Sequence, residues 1–100
     1  MIGIIIPGNP LTRGGPITEN MVVLDIQEPK NVNNISLFLE QPIPEGFGAA
    51  LYFSIYPYND LQFIGCCANQ RPSDIFYTGW SLNPDISNNT PIKICVKIKC

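Results

Sequence analysis

Ile92-Lys93-Ile94-Cys95-Val96-Lys97-Ile98-Lys99 alternates between two kinds of side chain over eight residues. A β-strand sends successive side chains to opposite faces, so a period of two puts Ile92, Ile94, Val96 and Ile98 on a core. Lys93, Cys95, Lys97 and Lys99 then face solvent. A row of lysines is also a common device for keeping an edge strand from pairing with another chain, and the segment reads as a solvated edge.

Working outward from this segment, ten prolines and eight glycines cut the chain into short pieces. None sustains the 3.6-residue apolar period of a helix. Strands are predicted at Ile2 to Ile6, Met21 to Ile26, Ile35 to Glu40, Ala49 to Tyr56, Leu61 to Cys67, Asp74 to Thr78 and Ile92 to Lys99. The turns between them are Pro7-Gly8-Asn9-Pro10, Gly14-Gly15-Pro16, Glu28-Pro29-Lys30-Asn31, Pro57-Tyr58-Asn59-Asp60 and Asn83-Pro84-Asp85. In Gly46-Phe47-Gly48 the two glycines give a tight bend ahead of a strand; the third glycine and the Lys-Ser/Thr ending of a phosphate-cradling loop are missing. Seven short strands in 100 residues predict one all-β domain, an antiparallel sandwich.

The composition supports a core and narrows the chemistry. With 45% apolar and 14% charged residues, a chain of this length buries on the order of two thirds of its unfolded surface. Six Lys plus Arg against eight Asp plus Glu give a net charge of -2. No overall field favours nucleic acid or an acidic membrane. No apolar run approaches the roughly 18 residues of a helical membrane span, and the apolar start Met1 to Pro7 lacks the basic n-region of a signal peptide. The sequons Asn34-Ile35-Ser36 and Asn88-Asn89-Thr90 would matter only in a secreted chain. The four cysteines have neither zinc-site nor secreted-scaffold spacing and read as reduced thiols, with Cys66 and Cys67 on opposite faces of one strand.

The chain has no histidine. That removes the commonest general base, the Ser-His and Cys-His pairs, and the commonest nitrogen ligand for metals. The carboxylates Glu19, Asp25, Glu28, Glu40, Glu45, Asp60, Asp74 and Asp85 are scattered, and spacing marks no pair as a dyad. Cys95 between Lys93 and Lys97 is the one foothold for reactivity, since nearby cations lower a thiol pKa; a surface or semi-buried cysteine without a role is the better reading. Catalytic, cofactor and metal sites are therefore all read as absent. The aromatics Phe47, Tyr56, Tyr58 and Trp80 lie near turns, where exposed rings can form docking pockets.

The stretch Gln41-Pro42-Ile43-Pro44-Glu45-Gly46-Phe47-Gly48-Ala49-Ala50-Leu51-Tyr52-Phe53-Ser54 resembles the signature of the Hikeshi family, in which Pro-Glu-Gly, a nearby Gly and Tyr-Phe-Ser follow one another. The stretch from Ile64-Gly65 through Asn69 to Pro72-Ser73-Asp74-Ile75-Phe76 is similar to that family's next strand and turn. Weaker similarity runs through Met1-Ile2-Gly3, Met21 to Ile26, Asn34 to Leu39 and Thr90-Pro91 to Lys99, so the resemblance covers nearly the whole chain.

The resemblance implies an N-terminal β-sandwich of jelly-roll type, with about seven or eight strands and no catalysis. It implies a carrier that takes seventy-kilodalton heat-shock chaperones into the nucleus and meets Phe-Gly nucleoporin repeats on the way, placed in cytoplasm and nucleus. The family's C-terminal domain, which pairs two subunits, is not matched by these 100 residues, so the chain alone is expected to be monomeric or weakly associated and to bind repeats poorly. Animal members hold a long loop with an exposed Pro-Phe-Gly before the last strand. Here Leu82 to Asn89 is shorter and has no Phe, and Trp80 is the nearby aromatic that could replace it. Phe47, Tyr52, Phe53, Ile75, Phe76 and Trp80 are the expected partner-binding residues, with Tyr52 and Phe53 on opposite faces of their strand. The alternative function is a non-catalytic adaptor sandwich in stress or lipid-related pathways.

Overall fold

The alternating segment forms the longest strand, β8 (Ile92–Lys99), of a computed structural model that describes residues 2–6, 12–14 and 21–99. Seven strands precede it: β1 (Ile2–Ile5), β2 (Thr12–Gly14), β3 (Met21–Ile26), β4 (Asn34–Leu39), β5 (Gly48–Ser54), β6 (Gln62–Cys67) and β7 (Ser73–Tyr77). They form two four-stranded sheets, ordered β2-β1-β4-β7 and β3-β8-β5-β6, and every pairing is antiparallel. The predicted all-β sandwich is what the chain builds.

Alternation fixes the inner faces. Ile4 of β1 and Ile35 and Leu37 of β4 are buried in one cluster with Leu51 and Phe53 of β5, Cys67 of β6, and Ile94 and Val96 of β8. Each such aliphatic side chain stabilises the fold by about 1.5–3 kcal/mol relative to exposure. Among the described strands, β1-β2 and β5-β6 are the consecutive pairs that neighbour each other within a sheet. The remaining connections carry the chain from one sheet to the other.

One end of the sandwich is closed by two short 3-10 turns, Pro29–Asn31 and Trp80–Leu82. Pro29, Val32, Trp80 and Ile86 are buried there. Thr78 fastens the turns together: its hydroxyl donates to the Val32 carbonyl (2.7 Å) and accepts from the Trp80 amide (3.3 Å). Asn88 accepts from the Lys30 amide (2.8 Å), tying the loop before β8 to the first turn. At the other end, Asn69 holds the Pro-rich segment by both amide atoms, accepting from the Ile43 N–H (2.9 Å) and donating to the Ile43 carbonyl (2.6 Å). Asn69 is therefore the structural partner of Ile43, the residue that precedes Pro44-Glu45-Gly46.

The structure corrects several expectations. β8 is not an edge. It lies between β3 and β5, so its lysines guard no open backbone. A strand forms at Thr12–Gly14, where Gly14-Gly15-Pro16 reads as a turn, because pairing with β1 outweighs local glycine chemistry. Gly15, Pro16 and the turn Pro7 to Pro10 lie outside the described residues. β5 stops at Ser54, two residues early, since the chain turns at once, with the Tyr58 amide donating to the Ile55 carbonyl (2.7 Å). Gly46, at φ 83°, makes the predicted bend. Cys95 is buried rather than wet, because Tyr52 and Val23 flank it across the neighbouring strands.

Two strand glycines mark close approaches. A Cβ on Gly3 of β1 would collide with the Phe38 ring of β4. A Cβ on Gly65 of β6 would collide with the Phe76 ring of β7, which belongs to the opposite sheet. Phe76 therefore occupies the space that the missing side chain leaves, and Gly65→Ala forces the ring aside. We expect that substitution to lower unfolding free energy by about 1–3 kcal/mol, with most of the loss recovered when Phe76→Leu is added. Denaturant titration of the two single variants and the double variant checks this.

The free thiols supply a second test. Cys66 is exposed, and Cys67 and Cys95 are buried. Burial pushes the Cys67 thiol up, helped by Asp74 and Cys66 against an opposing Arg71. Burial pushes Cys95 up as well, against the lowering effect of Lys97. Mapped alkylation should modify Cys66 fast and the other two only on unfolding. Thiols with raised folded-state pKa values leave the fold unaffected below the unfolded thiol pKa, about 8.5. Stability should fall as pH rises past it, because the unfolded chain ionises first.

Candidate partner-binding faces

Each sheet turns one face to the core and one to solvent, so a partner of the folded domain meets outer faces, loops and ends. On the β2-β1-β4-β7 sheet, register sets Ile5, Ser36 and Ile75 side by side, with Gly3 beside Phe38 and Asn34 beside Tyr77. The outer face thus carries Ile5, Phe38, Ile75 and Tyr77. Ile75 and Tyr77 are each 66% exposed and Ile5 44%. Large apolar side chains grouped and left this open make the face a candidate interaction surface.

The other outer face is different in kind. Tyr52 of β5 pairs with Phe63 of β6 and Cys95 of β8. The Tyr52 and Phe63 rings meet edge to face at 5.8 Å, and a bulge at Leu51/Tyr52 brings them into register. Lys97 and Lys99 place their ammonium groups 5.9 and 5.4 Å from the Tyr52 ring centroid. Lys99 also donates to the Tyr52 hydroxyl at 2.8 Å.

Lys93 takes another part. Its ammonium bonds Asp25 at 2.8 Å, and that hydrogen bond, with the carboxylate's charge, raises its pKa. Its cross-strand neighbour Ser54 is buried. A lysine held charged in this way cannot serve as the base of a Ser-Lys pair at neutral pH. Cys95, with its pKa raised by burial, is similarly far from a reactive thiolate.

The six residues expected to bind partners are not brought together. Phe53 and Trp80 are buried and pack on each other at 5.5 Å. Trp80 is 1% exposed, so its ring cannot take the place of the family's exposed loop phenylalanine. Phe76 is half-buried, turned inward against Gly65. Phe47 is half-buried in the turn closed by its amide on the Pro44 carbonyl (3.1 Å). Tyr52 and Ile75 face solvent from opposite sides of the sandwich. Of the six, Ile75 is the one in the apolar outer patch.

Ile5, Phe38, Tyr77 and Phe63 escaped the sequence reading. The signal for Tyr77 was present: in Ser73-Asp74-Ile75-Phe76-Tyr77, a period of two puts Ile75 and Tyr77 on one face and Phe76 on the other. Ile5 and Phe38 become neighbours of Ile75 only through the β1-β4-β7 pairing, which local sequence does not specify.

Comparison with known proteins bears on this geometry. The model of the family "Hikeshi-like, N-terminal domain" matches residues 5–91. Protein OPI10 homolog of Schizosaccharomyces pombe is 36% identical over 62 residues, which cover 60% of this chain and 30% of that protein. Protein Hikeshi of Bos taurus is 32% identical over 82 residues, and Protein Hikeshi of Homo sapiens 30% over 82; each alignment covers 76% of this chain and 42% of the relative. The chain thus spans less than half the length of these relatives. With a sandwich of the expected class and a family match over most of its residues, the chain belongs to the Hikeshi-like family, through that family's N-terminal domain.

Proposed function

We propose that this domain is part of a nuclear-import carrier for seventy-kilodalton heat-shock chaperones, acting by binding alone, and that it accepts the phenylalanine of Phe-Gly nucleoporin repeats on the outer face of the β2-β1-β4-β7 sheet. The observation that carries the reading is the exposed cluster around Ile75, set on a rigid sheet in a chain of this family. An apolar surface with a polar surround suits a side chain that must dock and leave quickly. Ser36 and Ser73, interleaved with Ile5, Phe38 and Ile75 on that face, supply polar groups.

Single repeat contacts are weak. Pairing two such domains in one carrier would raise avidity by roughly 10²–10⁴ without a new contact. A homodimer of the whole carrier, working between cytoplasm and nucleus, fits this requirement. The adaptor reading, with a partner in stress or lipid-related pathways, would use the same surface for another ligand. No observation favours it.

Calorimetric titration with a multivalent Phe-Gly repeat segment should give a weak complex. Ile75→Asp should weaken it about tenfold, a loss of about 1.4 kcal/mol, without changing the unfolding midpoint much, since Ile75 is outside the core. In parallel, full-length protein mixed with ATP-bound and ADP-bound chaperone should form a complex that favours one nucleotide state. Absence of binding to either state would reject the carrier reading.

A further inference from the structure

The second outer face has a charge pattern that the proposed function leaves unused. We infer that the Tyr52–Phe63 face of the β3-β8-β5-β6 sheet docks an extended acidic polypeptide segment, one with carboxylates at alternate positions and an apolar side chain within three or four residues of them.

Three of the chain's six cationic residues, Lys93, Lys97 and Lys99, lie on this single face. Among the described residues, Asp25 is the one acid opposite them, and it is taken by Lys93. The face is therefore positive by two charges on a chain that is negative by two. As β8 is an inner strand, edge protection does not account for these lysines.

Lys97 and Lys99 have no carboxylate partner among the described residues. Both are instead gathered on Tyr52: Lys97 lies 5.9 Å from the ring centroid, and Lys99 donates to the hydroxyl at 2.8 Å and so stands off the phenol edge, 5.4 Å from the centroid. Tyr52 thus preorganises two ammonium groups beside an aromatic ring that has little cover: Phe63 is 61% exposed and stands 5.8 Å from Tyr52.

Geometry selects the ligand. Lys97 and Lys99 are two residues apart on one strand face, a repeat of about 6.6 Å, and any extended peptide repeats its own same-side carboxylates at that interval. Both ammonium groups and the Phe63 ring centre lie within 6 Å of one centroid. Three or four extended residues, at about 3.3 Å each, therefore cover the site. Single-stranded nucleic acid fits less well. It binds by stacking successive bases on a series of aromatic faces along a basic groove, and beside Lys97 and Lys99 there is one open ring, Phe63.

The test uses the full chain and a synthetic ten-residue peptide alternating Glu and Thr with one Leu, followed by amide chemical-shift mapping. Shifts should centre on Tyr52, Phe63, Lys97 and Lys99 and weaken steeply with added salt. Lys97→Gln with Lys99→Gln should reduce affinity about 5–10-fold, as expected for two partly exposed ion pairs. Phe63→Ala should reduce it further while leaving the salt dependence intact. Core amide shifts in each variant verify the fold. Three results would overturn the inference: shifts confined to the Ile75 face, equal binding of a Lys-Thr control peptide, or tighter binding of an oligothymidylate at the same face. The site shares no residue with the proposed Phe-Gly surface, so either can fail alone.

Discussion

The placement of β8 between β3 and β5 is the constraint on which the rest depends. Its inward residues Ile92, Ile94 and Val96 are each 1% exposed or less, and they fix the register of two neighbours at once. Shifting either neighbour by one residue would exchange its inner and outer side chains. With that register set, β5 must place Leu51 and Phe53 inside and Tyr52 outside. β6 must then bring Gly65 opposite Leu51, where the Phe76 ring of the facing sheet fills the gap. The two sheets are thus locked together by a ring seated on a glycine, and their outer faces are defined as a consequence.

Those outer faces divide the possible work. One carries the exposed apolar side chains Ile5, Ile75 and Tyr77, the other is aromatic and cationic. Two nucleophilic side chains of the second face, Lys93 and Cys95, are not activated, for reasons visible in the packing. Lys93 is held protonated by Asp25, and Cys95 is buried against its strand neighbours. Under the proposed reading, such a domain would recognise partners through surface shape and charge.

Much of this was legible in the residues, and the failures have physical causes. Period-two alternation gave β8 and its inner residues correctly, because one buried face imposes that pattern on any strand. The same alternation could not say whether β8 sits at an edge, since an inner strand of a sheet with one wet face has the same signature. Turn chemistry located Gly46 and Asn83-Pro84-Asp85, where the Asn83 side chain accepts from the Asp85 amide at 2.9 Å. It failed at Gly14, where pairing with β1 overrides it. Trp80 looked available because it follows a strand end and precedes a loop. It is buried because its own 3-10 turn folds against the Pro29–Asn31 turn, and that contact joins segments some fifty residues apart. The Ile75 patch needed the β1-β4-β7 order, which is also non-local.

The central claim is that an outward, preformed sheet face, and not the core aromatics, receives a partner's phenylalanine. Intermolecular nuclear Overhauser effects between the ring protons of a Phe-Gly repeat peptide and this chain address it most directly. The account predicts cross-peaks to the Ile75 methyls and the Tyr77 ring, with Trp80 and Phe53 silent. Cross-peaks to Trp80 or Phe53, which would require the sandwich to open, would contradict it.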